Sequence, residues 1–199
     1  MSDETSLLEP FFRTVAFERR DGRVTARFGM TLENDLDEVW AALTEPSRMV
    51  NWLAPGEIDP RPGGAIKLNF VDSGIVIDSV ISDIDPWRVL EYSWSGPGEP
   101  TRPIRFELEP VGAAVGLVLT LGIPAEEDAG RAAAGWAAHL EMLAAALAGA
   151  PIKFPFDVFK AARETYQARL AADQASSGLA SRASSVRGLG VGGATRVNV

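Results

Sequence analysis

The chain has 199 residues, a formal net charge of −8 at pH 7 and no cysteine. The lack of cysteine excludes disulfides and thiolate metal sites, and a single histidine, His139, excludes a site built from several histidines. The acidic balance argues against general nucleic-acid binding, and the sequence predicts neither a signal peptide nor a membrane-spanning segment. We therefore expect a cytoplasmic globular protein without a metal, a cofactor, a nucleic-acid partner or membrane insertion.

The first part of the chain predicts one strand followed by two short helices. Residues 1–22 carry apolar side chains without a regular period, and we interpret them as an N-terminal lead-in in extended form. Over 23–32, apolar and polar side chains alternate, as in a half-buried β-strand. Asp35 is a candidate N-cap for a short helix, and Pro46 starts a second helix that reaches Trp52.

Five further strand candidates follow, each bounded by turn residues such as glycine, proline and aspartate. They cover residues 65–70, 75–84, 88–94, 104–109 and 115–123. The fourth shows the clearest pattern, because Ile104, Phe106 and Leu108 alternate with charged residues. No helical pattern separates the five candidates, so an antiparallel meander is expected.

The C-terminal part of the chain predicts two helices and a tail. Residues 135–147 carry one apolar stripe, and we predict a long helix over about 129–148 that covers the sheet. A C-terminal helical extension is expected in 151–174, with an amphipathic helix over 156–172. Residues 175–199 consist mainly of small and polar residues and are predicted to be a disordered tail.

Four short motifs accompany this order of elements. They are Val-Trp-Ala-Ala-Leu-Thr-Glu-Pro at 39–46, Arg-Pro-Gly-Gly at 61–64, Ile-Asp-Pro-Trp-Arg-Val-Leu at 84–90 and Gly-Trp-Ala-Ala-His-Leu at 135–140. With the element order, they resemble the helix-grip, START-like fold of the SRPBCC superfamily, and within it the heat-shock protein 90 ATPase activator homologue group. The resemblance covers about residues 23–150, a single START-like domain. It implies an α+β fold in which a curved antiparallel β-sheet wraps around the long C-terminal helix.

In that fold, the space between the sheet and the long helix is often an apolar cavity. The resemblance therefore implies non-catalytic binding of a small hydrophobic molecule there. We place nine apolar residues on or near the cavity wall: Trp52, Phe70, Tyr92, Trp94, Phe106, Leu119, Trp136, Leu140 and Leu143. The alternative is that these side chains fill the core, and residue spacing does not distinguish a full core from a hollow one.

A second hypothesis is an enzyme of the cyclase or hydrolase type acting on a lipophilic or polyketide-like substrate, since relatives of the fold include such enzymes. It requires an acid–base pair, and the candidates are His139, Tyr92, Asp78, Glu107 and Arg105. We expect His139 to be structural or solvent-facing, so no catalytic residue is assigned. Asp78 could pair with Arg105 inside the cavity, but a solvated outer face is the preferred interpretation for Arg105 and Glu107.

A third hypothesis is a chaperone-associated interaction module. The family name implies it, together with a role in the stress response. The helix predicted over 156–172 lies outside the family pattern, and its amphipathic character makes it the candidate surface for a protein partner.

Overall fold

The computed structural model describes residues 14–71 and 73–187, which form one eight-stranded antiparallel sheet and four helices. The strands are β1 (Thr14–Arg20), β2 (Arg23–Leu32), β3 (Gly56–Ile58), β4 (Ala65–Phe70), β5 (Ile75–Asp85), β6 (Val89–Ser93), β7 (Pro103–Val111) and β8 (Ala114–Pro124). The helices are α1 (Leu36–Thr44), α2 (Pro46–Met49), α3 (Ala129–Leu147) and α4 (Phe156–Arg187). The strand order is β1-β2-β8-β7-β6-β5-β4-β3, and the predicted helix-grip architecture is confirmed.

The structure adds two strands to those that the sequence predicts. Strand β1 lies in the segment expected to be a lead-in, and it pairs with β2 through a hairpin. The turn residues Asp21 and Gly22 both have positive φ, 50° and 73°, as a two-residue turn matched to the twist of the strands requires. Strand β3 has three residues, too few to show an alternating pattern. Residues 1–13 lie outside the described part of the chain.

The two short helices differ from the prediction at their ends. Helix α2 ends at Met49 rather than at Trp52. Asp35 occupies the N-cap position of α1, but its side chain makes no capping hydrogen bond. The neighbouring Asn34 instead donates from Nδ2 to the carbonyl oxygen of Leu147 at 3.2 Å. The start of α1 is therefore anchored to the end of α3.

The long helix α3 confirms the predicted helix and lies on the inner face of the sheet. Its first turn is capped by Asp128, whose Oδ1 accepts a hydrogen bond from the backbone N–H of Arg131 at 2.8 Å. It ends at Leu147, and Gly149 follows with a φ of 74°. The helix buries Trp136 and a stripe of alanines and leucines, so its apolar side forms part of the core.

Helix α4 packs beside α3 and covers the inner face of β1 and β2. The Tyr166 ring lies 5.6 Å from the ring of Phe17 and 6.3 Å from that of Phe28, both as edge-to-face contacts. Gln167 Nε2 donates to Asp128 Oδ2 at 3.0 Å and so joins α4 to the start of α3. Strand β1 and helix α4 therefore share one apolar interface.

Helix α4 continues well beyond the predicted end near Ala172. The helix ends at Arg187, so residues 175–187, which were expected to belong to a disordered tail, lie in the helix. The alanines and arginines of this stretch favour a helix, whereas its serines and Gly178 do not. The extension therefore depends on the packed part of α4, because a helix that is already nucleated adds residues at little cost. Residues 188–199 lie outside the described residues. None of the described helices combines the length and apolar character needed to cross a membrane.

Candidate functional site

Seven rings pack together between the inner face of the sheet and helix α3. We call this set the aromatic cluster: Trp52, Phe70, Tyr92, Trp94, Phe106, Trp136 and His139. Phe106 is at its centre, with ring centroids 6.4 Å from Trp52, 6.5 Å from Tyr92 and 5.9 Å from Trp136. Six of the nine predicted wall residues are thus brought into one connected group.

The strand register and a buried hydrogen bond hold these rings in place. In the β6–β7 ladder, Tyr92 lies opposite Ile104 and Leu90 opposite Phe106, so both rings project from the inner face. Trp52 is fixed by its Nε1, which donates to the carbonyl oxygen of Ala42 at 2.8 Å. The other three predicted wall residues are buried in the surrounding core: Leu119, Leu140 and Leu143.

The aromatic cluster largely fills the space between the sheet and the long helix. Trp52, Tyr92 and Phe106 expose only 1%, 2% and 1% of their surface. A cavity of about 30 Å³ borders Trp94 and Trp136, which is room for about one water molecule. An aromatic ligand would therefore need some of these rings to move aside.

One side of the aromatic cluster reaches solvent. We call it the rim, and it consists of the half-buried cluster rings of Phe70, Trp94 and His139 together with the neighbouring half-buried ring of Phe154. Phe70 lies 5.5 Å from Trp94 and 5.9 Å from His139, and His139 lies 5.5 Å from Phe154. Phe156, 5.1 Å from Phe154, is 65% exposed. Rings at the rim could move without disturbing the fully buried centre of the cluster.

His139 is the one rim residue that can titrate. Its Nδ1 lies 3.3 Å from the carbonyl oxygen of Trp52, and rings surround it from Phe70, Trp136 and Phe154. Burial among these rings lowers the pKa of His139 to about 4, although the Trp52 carbonyl opposes the shift. The side chain is therefore neutral near pH 7 and supports the aromatic cluster.

The charged candidates for acid–base chemistry lie elsewhere. Arg105 Nη1 contacts Asp83 at 2.7 Å and Glu91 at 3.0 Å on the outer face of the sheet, and these carboxylates raise the pKa of Arg105. Asp78 is exposed and lies opposite Lys67 in the β4–β5 ladder. The idea that Asp78 pairs with Arg105 inside a cavity is wrong, because the alternation of β5 turns Asp78 outward.

These positions leave few groups for catalysis inside the fold. Glu107 also lies on the outer face, with Oε1 3.5 Å from Nε of Arg105. Tyr92 and His139 are on the inner side, and the rings of Phe106 and Trp136 link them in a chain of contacts. The five candidates therefore form no acid–base pair in direct contact at the aromatic cluster. Among the described residues, no group of three or more histidine, aspartate or glutamate side chains could hold a metal ion.

A second concavity was not predicted from the sequence. A half-open groove of about 1150 Å³, which we call the end groove, runs along β2, β7 and β8 and the turn before β6. Its lining includes Gly29 and Gly116, whose missing side chains leave room on the outer face. Trp87 borders it with a φ of 63° and a ring centroid 6.3 Å from that of Trp40. Two glycines at outward positions of adjacent strands were the available sequence signal.

Comparison with known families adds to this geometry. The family model described as activator of Hsp90 ATPase homolog 1-like protein matches residues 34–148, more than half of the chain. The chain belongs to that family. All nine predicted wall residues lie within the matched range, whereas β1, β2 and α4 lie outside it. No curated protein sequence matches the chain.

Solved structures show the same fold. CalU16 from Micromonospora echinospora is 24% identical, with a TM-score of 0.67, and the match covers 78% of this chain and 96% of CalU16. The protein encoded by gene BPP1335 from Bordetella parapertussis is 30% identical, with a TM-score of 0.60 and coverage of 79% and 91%. DynU16, from the dynemicin biosynthetic locus, is 26% identical, with a TM-score of 0.59 and coverage of 66% of this chain and 49% of DynU16. These three structures resemble this chain in overall fold.

Proposed function

We propose that this family member binds a small aromatic, hydrophobic molecule at the aromatic cluster and does not transform it. The observation that carries the proposal is the rim, where half-buried rings continue a buried set of rings out to solvent. Sites for apolar ligands consist mainly of apolar and aromatic side chains with few polar groups. The relationship to DynU16, from a biosynthetic locus, supports a small natural product as the ligand class.

Opening the rim requires little energy compared with opening the centre. Phe70 makes two ring contacts, with Trp94 and with His139. An edge-to-face pair contributes about 0.5–1.5 kcal/mol beyond its buried area, so displacing Phe70 costs about 1–3 kcal/mol in ring contacts. A ligand ring that takes the place of Phe70 restores contacts of the same kind. The proposal therefore predicts that binding displaces rim rings and leaves Phe106 in place.

Nuclear magnetic resonance of the tryptophan indoles tests where a ligand binds. The chain has five tryptophans, so five indole N–H signals are expected from 15N-labelled protein. We expect naphthalene, used as the probe, to shift the signals of Trp94 and Trp136 and to leave those of Trp40 and Trp87 unchanged. Shifts confined to Trp40 and Trp87 would place binding in the end groove and overturn the proposed site.

Two matched substitutions provide the control. Trp94→Ala removes a rim ring, and Trp87→Ala removes an exposed ring at the end groove. We expect Trp94→Ala to weaken naphthalene binding by about tenfold, the loss of one aromatic contact surface, while Trp87→Ala binds as the wild type does. If wild-type protein shows no shift up to the solubility limit of naphthalene, the proposal fails.

A further inference from the structure

His139 has one ring nitrogen engaged and one free. Nδ1 lies 3.3 Å from the carbonyl oxygen of Trp52, and a carbonyl oxygen only accepts hydrogen bonds. Nδ1 must therefore carry the proton of the neutral imidazole, which leaves Nε2 as an acceptor. Within the described part of the chain, Nε2 has no hydrogen-bond partner. An acceptor that no protein donor engages thus lies at the rim, on a half-buried side chain.

We propose that the ligand is an aromatic molecule bearing a hydroxyl group, and that this hydroxyl donates a hydrogen bond to Nε2 of His139. This inference rests on the proposed function and adds the chemical class of the ligand. The rings of Phe70, Trp136 and Phe154 lie 5.9, 5.7 and 5.5 Å from the imidazole ring and surround it with aromatic surface. A flat aromatic ligand that packs against these rings would bring a hydroxyl on its edge close to the imidazole.

The charges near the aromatic cluster favour a neutral ligand over an anionic one. Arg102 borders the small cavity beside Trp136, but it is already engaged: its Nη2 lies 2.8 Å from Glu127 and its Nη1 lies 2.8 Å from Glu99. An unprotonated Nε2 repels a carboxylate oxygen, because both are acceptors. At Nε2, a carboxylate would thus meet a second acceptor, whereas the hydroxyl of a phenol meets it with a donor. The pKa of His139, lowered to about 4, keeps the imidazole in this neutral form near pH 7.

A pair of probes that differ by one methyl group tests the inference. Titration calorimetry at pH 7 compares 1-naphthol, which has the hydroxyl donor, with 1-methoxynaphthalene, which lacks it. We expect the methyl ether to bind about tenfold more weakly, because it leaves both its own oxygen and Nε2 without a donor. Since the ether is the more hydrophobic molecule, apolar burial alone predicts the opposite order. Equal affinities, or a preference for the ether, would overturn the inference.

The only histidine of the chain also permits a direct observation in tag-free wild-type protein. The 15N shifts of an imidazole differ widely between a protonated and an unprotonated nitrogen. We expect Nδ1 to be protonated and Nε2 to be free, and we expect the Nε2 signal to move when 1-naphthol binds. A proton found on Nε2 in the free protein would refute the inference without any substitution.

Two variants separate this inference from the proposed function. In His139→Phe the methyl ether should bind at least as tightly as 1-naphthol. In Tyr166→Phe, which removes the hydroxyl of a buried tyrosine outside the aromatic cluster, the preference for 1-naphthol should persist. If naphthalene and both derivatives bind to wild-type protein without a preference, the hydroxyl inference fails and the proposed function stands. If none of the three binds, both fail.

Discussion

Acidification should destabilise the protein through His139 before its carboxylates protonate. In the folded chain, burial lowers the pKa of His139 from 6.5 to about 4. Below pH 6.5, the unfolded chain therefore binds a proton that the folded chain excludes. The stability associated with the neutral imidazole is fully present above pH 6.5, and it is lost as the pH falls toward 4. We predict that replacing His139 by phenylalanine removes this dependence.

The size of the effect follows from the two pKa values. One pKa unit corresponds to about 1.4 kcal/mol, so a fall from 6.5 to about 4 amounts to about 3 kcal/mol of unfolding free energy. In His139→Phe the carbonyl oxygen of Trp52 loses its donor, which costs about 1–3 kcal/mol at every pH. The variant should thus be less stable than the wild type at pH 7, and the difference should shrink or reverse near pH 4.

Urea unfolding at pH 7.0, 5.5 and 4.5, followed by circular dichroism, measures both proteins under the same conditions. Other titrating groups act in both proteins and cancel in the difference. Burial raises the pKa of Glu141, so acidification stabilises the folded chain through this group, opposite to the effect of His139. Backbone hydrogen bonds lower the pKa values of Glu99 and Asp128. If the wild type and His139→Phe differ by the same free energy at pH 7.0 and 4.5, the imidazole is not buried as described.

Three further substitutions test the core, a helix cap and the interface of α4. Leu140→Ala removes a side chain that is 1% exposed and should lower the free energy of unfolding in urea by about 2–5 kcal/mol. Leu147 is half-buried on the same helix, so Leu147→Ala should lower it clearly less. Asp128→Ala removes the cap of α3 and should lower the unfolding free energy by about 1–2 kcal/mol at pH 7, with a smaller loss below the pKa of its carboxyl. Tyr166→Ala should lower the unfolding free energy by about 3–5 kcal/mol. Hydrogen exchange should then rise more in β1 than in β6, and an equal rise in both strands would contradict this prediction.

The fold could be predicted wherever a segment is long enough to show a regular repeat of apolar residues. The strands around Ile104 and Val115 and the helix after Asp128 alternate or repeat over many residues, and the structure places them as expected. Strand β3 and the end of α2 are too short for this, and the apolar side chains of β1 obscure its alternation. The helical part of the predicted tail was missed because composition does not show that a preceding packed helix can be extended.

The aromatic cluster could be predicted only in part. Inward positions on strands identify Tyr92 and Phe106, and the apolar stripe of α3 identifies Trp136. Sequence spacing does not tell whether such rings enclose an open cavity, since that depends on how side chains from different elements interlock. The rim residue Phe154 was missed because it lies in the connection between α3 and α4, where no repeating pattern of apolar residues indicates which side chains face the core.

The shared interface of β1 and α4 has an evolutionary consequence. Both elements lie outside the range that matches the family model, yet Phe17 and Phe28 are covered by Tyr166 of α4. A chain cut after Gly149 would expose both phenylalanines, so such a truncation would test stability as much as partner binding. Strand β1 and helix α4 are thus expected to be inherited together. Relatives that lack α4 should carry a polar residue at the position of Phe17, or lack β1 altogether.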